Sequence, residues 1–174
     1  MPDSLSTILQ NKTSKAKEKV RLLSDLLLNK RISIDEFIKI ASLQKDSSKA
    51  TLIEAMEYSS KTNPGIINER GFQFAIKSLA DDAPRVKWEA AKVIDNTAHL
   101  FPSLLKKATT NLLINTEHNG TVVRWSAAKA LTRIMQLNSS LKMELAPVFE
   151  AILKREEDNA IKKIYQQALK KSLG

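Results

Sequence analysis

Apolar residues along this chain recur at helical spacing, and the same arrangement of them returns at a nearly fixed interval. Val86, Ala90, Val93 and Thr97 lie at i, i+4, i+7 and i+11, and Trp88, Ala91, Ile94 and Ala98 form an adjacent stripe. Two stripes side by side predict a helix with a wide buried face. Placing Val86 on Val123 superposes VKWEAAKVI on VRWSAAKAL, so that Trp88 meets Trp125, Ala90–Ala91 meet Ala127–Ala128, and Lys92 meets Lys129. A third copy, IKKIYQQAL, starts at Ile161, and a fainter one, SKATLIEAM, occupies 48–56. The last apolar positions, Met56, Ile94, Leu131 and Leu169, are 38, 37 and 38 residues apart. Constant spacing of this kind predicts one supersecondary unit used repeatedly.

Between the copies runs a second helical pattern, over 66–80, 102–115 and 140–155, with Pro147 expected to start or bend the last of them. Pro84, just after Asp81 and Asp82, suits a first helical turn. Ahead of the repeats, Ser33 with Glu36 forms a capping-box pattern, and AKEKVRLLSDLLL is a further amphipathic helix. KTNPGI and EHNGT read as turns, and no segment alternates as a strand would. The whole predicts eight or nine helices of about 10–14 residues each.

The unit of helix, Asp-containing turn and V[KR]xxAAxAL helix resembles a HEAT repeat. The residues that carry the resemblance are 79–94, 115–131 and 153–169, with 43–56 as a degenerate copy. The resemblance implies an all-α, right-handed α–α superhelix of about four HEAT-like helix pairs over 33–174, continuous with capping helices in 1–32. Inter-repeat packing is then the favoured account of Trp88 and Trp125, over an exposed binding pair. The basic column Lys87, Arg124 and Lys162 is implied to pair with turn acids of its own or a neighbouring repeat, with Asp81, Asp82, Glu157 and Asp158 in reach. The middle turn has Glu117–His118–Asn119 where an Asp is expected.

Composition narrows the chemistry. The 174 residues are 43% hydrophobic but only 5% aromatic, and there is no cysteine. That removes disulfides and thiolate metal sites and is compatible with the cytoplasm. His99 and His118 stand apart, with no HExxH or paired-ligand spacing, so neither a metal nor another cofactor is expected. The four glycines are scattered, and GxSxG is missing. The N-terminus lacks the apolar core of an export signal, and no stretch approaches the roughly 18 apolar residues of a membrane span. A soluble chain without membrane partners is expected. The sequons at Asn11, Asn119 and Asn138 read as turn and cap residues.

Net charge is +9 and rises toward the C-terminus without forming a basic arm. It raises the prospect of acidic partners without specifying one. The function expected is a non-enzymatic binding module or adaptor whose groove takes a protein or peptide, with a monomer favoured over a homodimer. The alternative is an electrostatic nucleic-acid binder. For either, the candidate partner-binding residues are Arg70, Gln73 and Lys77 on one presumed inner helix, Lys106, Lys107 and Thr110 on the next, and Lys142 on a third. Asp95 lies seven residues after Trp88, a pairing similar to that of the alkylpurine DNA glycosylases, which also use a HEAT-like solenoid. No catalytic motif aligns with that family residue by residue, so an enzyme is the least favoured reading.

Overall fold

The computed structural model describes residues 4–173. Among them are ten α-helices and no strand: α1 (Leu5–Gln10), α2 (Ala16–Leu28), α3 (Ile34–Ser42), α4 (Asp46–Thr62), α5 (Glu69–Ser78), α6 (Pro84–Thr97), α7 (Leu105–Asn115), α8 (Thr121–Leu137), α9 (Ser139–Arg155) and α10 (Asn159–Leu173). The architecture is an all-α superhelical solenoid of stacked helix pairs, α3/α4, α5/α6, α7/α8 and α9/α10, preceded by α1 and α2. The repeated apolar motif forms α4, α6, α8 and α10. The intervening pattern forms α5, α7 and α9, with short 3-10 turns at Pro64–Ile66 and Pro102–Leu104 absorbing the starts expected at 66 and 102. Pro147 falls inside α9 rather than opening it. Pro147 and Met143, whose carbonyl the proline ring leaves unbonded, both face solvent, so water can satisfy that carbonyl.

Local chemistry sets the helix starts. The side chains of Ser33, Asn68 and Asn138 accept the backbone N–H three residues on, at 3.1, 2.9 and 2.9 Å. Each fills one of the donor positions a helix start leaves open. The core runs the length of the stack, from Leu23 and Phe37 through Met56, Phe72 and Ile94 to Leu131, Phe149 and Tyr165. Phe149 meets Tyr165 edge-on, with ring centroids 4.8 Å apart, and so joins α9 to α10.

The two layers are spaced unequally. Helices α2, α4, α6, α8 and α10 pack side by side along much of their length, whereas α3, α5 and α7 touch one another at few points. Ala90, Ala91, Ala127 and Ala128, all buried, permit the close approach of α6 and α8. A two-layer stack bends toward its tighter layer, so the motif helices line the concave side.

Candidate functional site on the concave face

The solvent side of the motif helices is built from equivalent positions. Trp88 on α6 is matched by Trp125 on α8. Glu54, Lys92, Lys129 and Gln167 form a second column across α4, α6, α8 and α10. Tyr58, Asn96, Arg133 and Lys171 form a third. Neither tryptophan belongs to the hydrophobic core. Trp88 is half-buried and Trp125 is 37% exposed, with the Lys129 ammonium 5.8 Å from its ring centroid. The expectation that packing between repeats explains both tryptophans is corrected for Trp125, whereas Trp88 stays half-buried with its indole N–H on the buried Glu89. Alanines occupy buried positions where α6 and α8 approach, and Trp125 is exposed on the concave side.

Polar contacts tie neighbouring repeats across this face. Arg85 of α6 bonds Glu54 of α4. Asn96 donates to the Ser60 hydroxyl and the Glu57 carbonyl, each at 3.1 Å. Arg133 of α8 donates through Nε to Asp95 of α6 at 3.2 Å. At the centre sits Glu89, 4% exposed, whose Oε1 accepts the Trp88 indole N–H at 2.9 Å. Its Oε2 has no hydrogen-bond partner. Burial pushes this carboxyl above its ordinary value, Glu54 and Glu57 add to the rise, and Lys92 opposes it. The face as a whole alternates in sign, with Glu54, Glu57, Glu89 and Asp95 set among Arg85, Lys92, Lys129 and Arg133.

The basic column works between repeats. Lys49 bonds Asp81 of the following turn at 2.9 Å. Arg124 bonds Glu156 of its following turn at 3.1 and 3.2 Å. The acid used there is Glu156, not Glu157 or Asp158. Lys87 meets no acid in the middle turn and donates instead to the Leu79 carbonyl at 3.2 Å.

The candidate residues named from sequence lie elsewhere. Arg70, Gln73 and Lys77 are on α5, Lys106, Lys107 and Thr110 on α7, and Lys142 on α9, all in the wider-spaced outer layer. Their placement on inner helices is corrected: the small-residue motif, which sets the closer spacing, belongs to the other helix of each pair. The structure gathers Arg70, Gln73, Lys77 and Lys107 around a shallow groove between α5 and α7. Lys106, Thr110 and Lys142 are not part of it. Arg70 pairs with Asp35 at 3.4 Å, Gln73 donates to Glu69 at 3.3 Å, and the Thr110 hydroxyl donates to the Lys106 carbonyl at 3.2 Å. The concave residues were findable from the sequence, because Lys92, Asp95 and Asn96 continue the Trp88 face at i+4, i+7 and i+8.

Asp95 and Trp88 do share the concave side of α6. They stand two turns apart, roughly 10 Å along the axis, and each is engaged separately, Asp95 by Arg133 and Trp88 by Glu89. Among the described residues no group of His, Asp or Glu is arranged to hold a metal, and no helix is long and apolar enough to cross a membrane.

The class defined by this geometry is the helical-repeat solenoid, and solved structures agree. The chain is similar to the complex of CpcE and CpcF of phycocyanin lyase from Nostoc sp. PCC7120, at 18% identity and a TM-score of 0.71, covering 94% of this chain and 96% of that one. It is similar to a designed armadillo repeat protein in complex with the peptide (KR)4, at 18% identity and a TM-score of 0.74, covering 98% and 80%. It is also similar to computationally designed armadillo repeat proteins for modular peptide recognition, at 18% identity and a TM-score of 0.71, covering 95% and 79%. No protein-family model matches the sequence, and no curated protein matches it.

Proposed function

We propose that this protein is a non-enzymatic, HEAT-like binding module that takes a peptide or an extended protein segment along its concave face. Two helices per repeat, rather than three, support the HEAT-like assignment. The observation that carries the function is the pair Trp88 and Trp125, at equivalent positions on adjacent concave helices and outside the core. Large rigid aromatics presented to solvent at repeat spacing supply contact area at little entropic cost. The charges around them, mixed in sign, suit a polypeptide carrying both signs. They suit a phosphate backbone less, which calls for one continuous positive stripe. Two of the similar solved structures are designed peptide binders, which supports the same reading.

The test is a peptide array probed with the purified chain, followed by fluorescence titration of the selected peptides against wild type and Trp125→Ala. Selected peptides whose affinity falls at least tenfold in the variant support the proposal. Failure to select any peptide, together with salt-steep binding of a labelled DNA strand between about 50 and 200 mM salt, replaces it with the nucleic-acid reading.

A further inference from the structure

Toward the C-terminal end of the concave face, α6, α8 and α10 line a polar, half-open cavity of about 280 Å³. Lys129, Arg133 and Lys171 supply three cationic side chains to its wall, against the single carboxylate of Asp95. Among the described residues, Lys129 and Lys171 have no ion-pair partner. Arg133 is anchored by one nitrogen only: Nε donates to Asp95 Oδ1 at 3.2 Å, and its two terminal nitrogens donate to no described residue. Asp95 thus fixes the guanidinium plane while leaving its fork free.

Thr132, on the same wall, is the second observation. Thr132 is half-buried, whereas the buried helix threonines Thr51, Thr97 and Thr109 return their hydroxyls to the carbonyl four residues back, at 2.8, 2.7 and 2.7 Å. The Thr132 hydroxyl is buried and finds no partner. An orphaned buried hydroxyl is costly, and a group bound in the cavity that Thr132 lines could supply its missing partner.

We propose that this cavity is a binding site for a phosphate group. Three cations facing one carboxylate leave a positive excess that matches the charge of a phosphomonoester, about −1.5 to −2 at neutral pH. A carboxylate would neutralise only part of that excess. The free fork of Arg133 fits two phosphate oxygens, the two lysines act as mobile point charges, and the Thr132 hydroxyl donates a further hydrogen bond. The cavity opens onto the same face as Trp125, so the phosphate is read as one carried on a peptide side chain; that part rests on the peptide-binding reading.

The experiment is an NMR titration of the isotope-labelled chain, following the Arg133 Nε–H and Trp125 Nε1–H resonances. The probes are inorganic phosphate, N-acetyl-O-phosphoserine amide and N-acetylserine amide, against wild type, Lys129→Gln/Lys171→Gln and Thr132→Val. All three positions are on the surface or isosteric, so amide spectra will show the fold retained. Saturable shifts of Arg133 with both phosphate probes but not with the serine amide are expected, with at least tenfold weaker binding in the double lysine variant and a several-fold loss in Thr132→Val. Tighter binding of the phosphoserine amide than of inorganic phosphate marks a peptide-borne group, and equal binding marks the free phosphate alone as the ligand chemistry. Wild-type resonances that do not move with phosphate, or that move equally in the double variant, overturn the site, even if unphosphorylated peptides bind beside the tryptophans.

Discussion

Arg124 holds Glu156 with a two-pronged ion pair, Nε to Oε2 at 3.1 Å and a terminal nitrogen to Oε1 at 3.2 Å, and so joins one repeat to the next. The carboxylate is nearly inaccessible, its side chain 2% exposed, and the second fork nitrogen of Arg124 bonds the His118 and Asn119 carbonyls. Burial alone pushes the Glu156 carboxyl up. The Arg124 hydrogen bonds and charge and the Asp158 amide outweigh it and hold the group below its ordinary value. Arg124→Ala removes the partner and leaves a buried carboxylate behind, so a loss of roughly 2–4 kcal/mol is expected in urea unfolding.

The pH dependence has a definite sign. Glu156 and Asp81 are both held below their unfolded values, Asp81 because the Ala83 amide and Lys49 outweigh its burial. Their contribution is present above the unfolded carboxylate range, about 4, and is lost as pH falls through the folded value. The stability gap between wild type and Glu156→Gln should therefore be widest at neutral pH and close in acid. A gap that does not change between pH 7 and pH 3 would refute the ladder as the cause.

His118 occupies the position equivalent to Asp81 and Glu156, 37 residues after the first and 38 before the second. All three side chains accept the backbone N–H two residues on, His118 Nδ1 from Gly120 at 2.8 Å, Asp81 from Ala83 at 2.9 Å and Glu156 from Asp158 at 3.0 Å. Only His118 lacks the charge for the preceding basic residue, Lys87. His118→Asp keeps the turn bond and supplies the missing rung, so stability should rise by about 0.5–1 kcal/mol, the scale of a partly exposed pair. Thermal unfolding at low and high salt checks this, since the gain should shrink as salt screens it.

The stack was legible because its signal is local and repeated: Val86, Ala90 and Ile94 sit on their copies at constant spacing, and burial follows the apolar stripes. The ladder was partly legible, because Lys87, Arg124 and Lys162 align, but of the three only Arg124 meets an acid among the described residues, and that acid is Glu156 rather than Glu157, because reach depends on the rise between repeats. The inner surface was misplaced. Lys77 and Lys107 look like a stripe in one dimension, yet spacing between helices is set by side-chain size, and the alanines of α6 and α8 put those helices on the tighter side. Trp125 misled for a related reason: an indole inside an alanine-rich helix reads as core, yet the buried positions around it are taken by Ala127, Ala128 and Leu131 while the indole stays exposed.

Glu89 gives a prediction of opposite sign to the ladder. Burial, with Glu54 and Glu57 nearby, raises its folded-state value. Its favourable contribution is present below the unfolded value and is lost as pH rises through the folded one. Glu89→Gln keeps an acceptor for the Trp88 indole and removes the buried charge. Stability at pH 7.5 should rise by about 1 kcal/mol, and the gain should vanish near pH 4. A variant less stable than wild type at pH 7.5 would show that Lys92, 3.7 Å away, outweighs the desolvation.

The two tryptophans separate stability from binding, and they should do so unequally. Trp125 is not part of the core cluster and is 37% exposed, so Trp125→Ala should cost under about 1 kcal/mol, as surface substitutions do. Trp88 is half-buried and donates to a buried carboxylate, so Trp88→Phe strips Glu89 of its one hydrogen bond. That should cost roughly 1–3 kcal/mol at neutral pH. The same loss should be smaller in the Glu89→Gln background, where no charge is left uncompensated. A double-mutant cycle on Trp88 and Glu89, run beside peptide affinity for Trp125→Ala, then distinguishes a structural indole from a recognition indole. If Trp125→Ala instead unfolds the chain while leaving affinity intact, the concave pair is a packing feature and the groove is not where the partner binds.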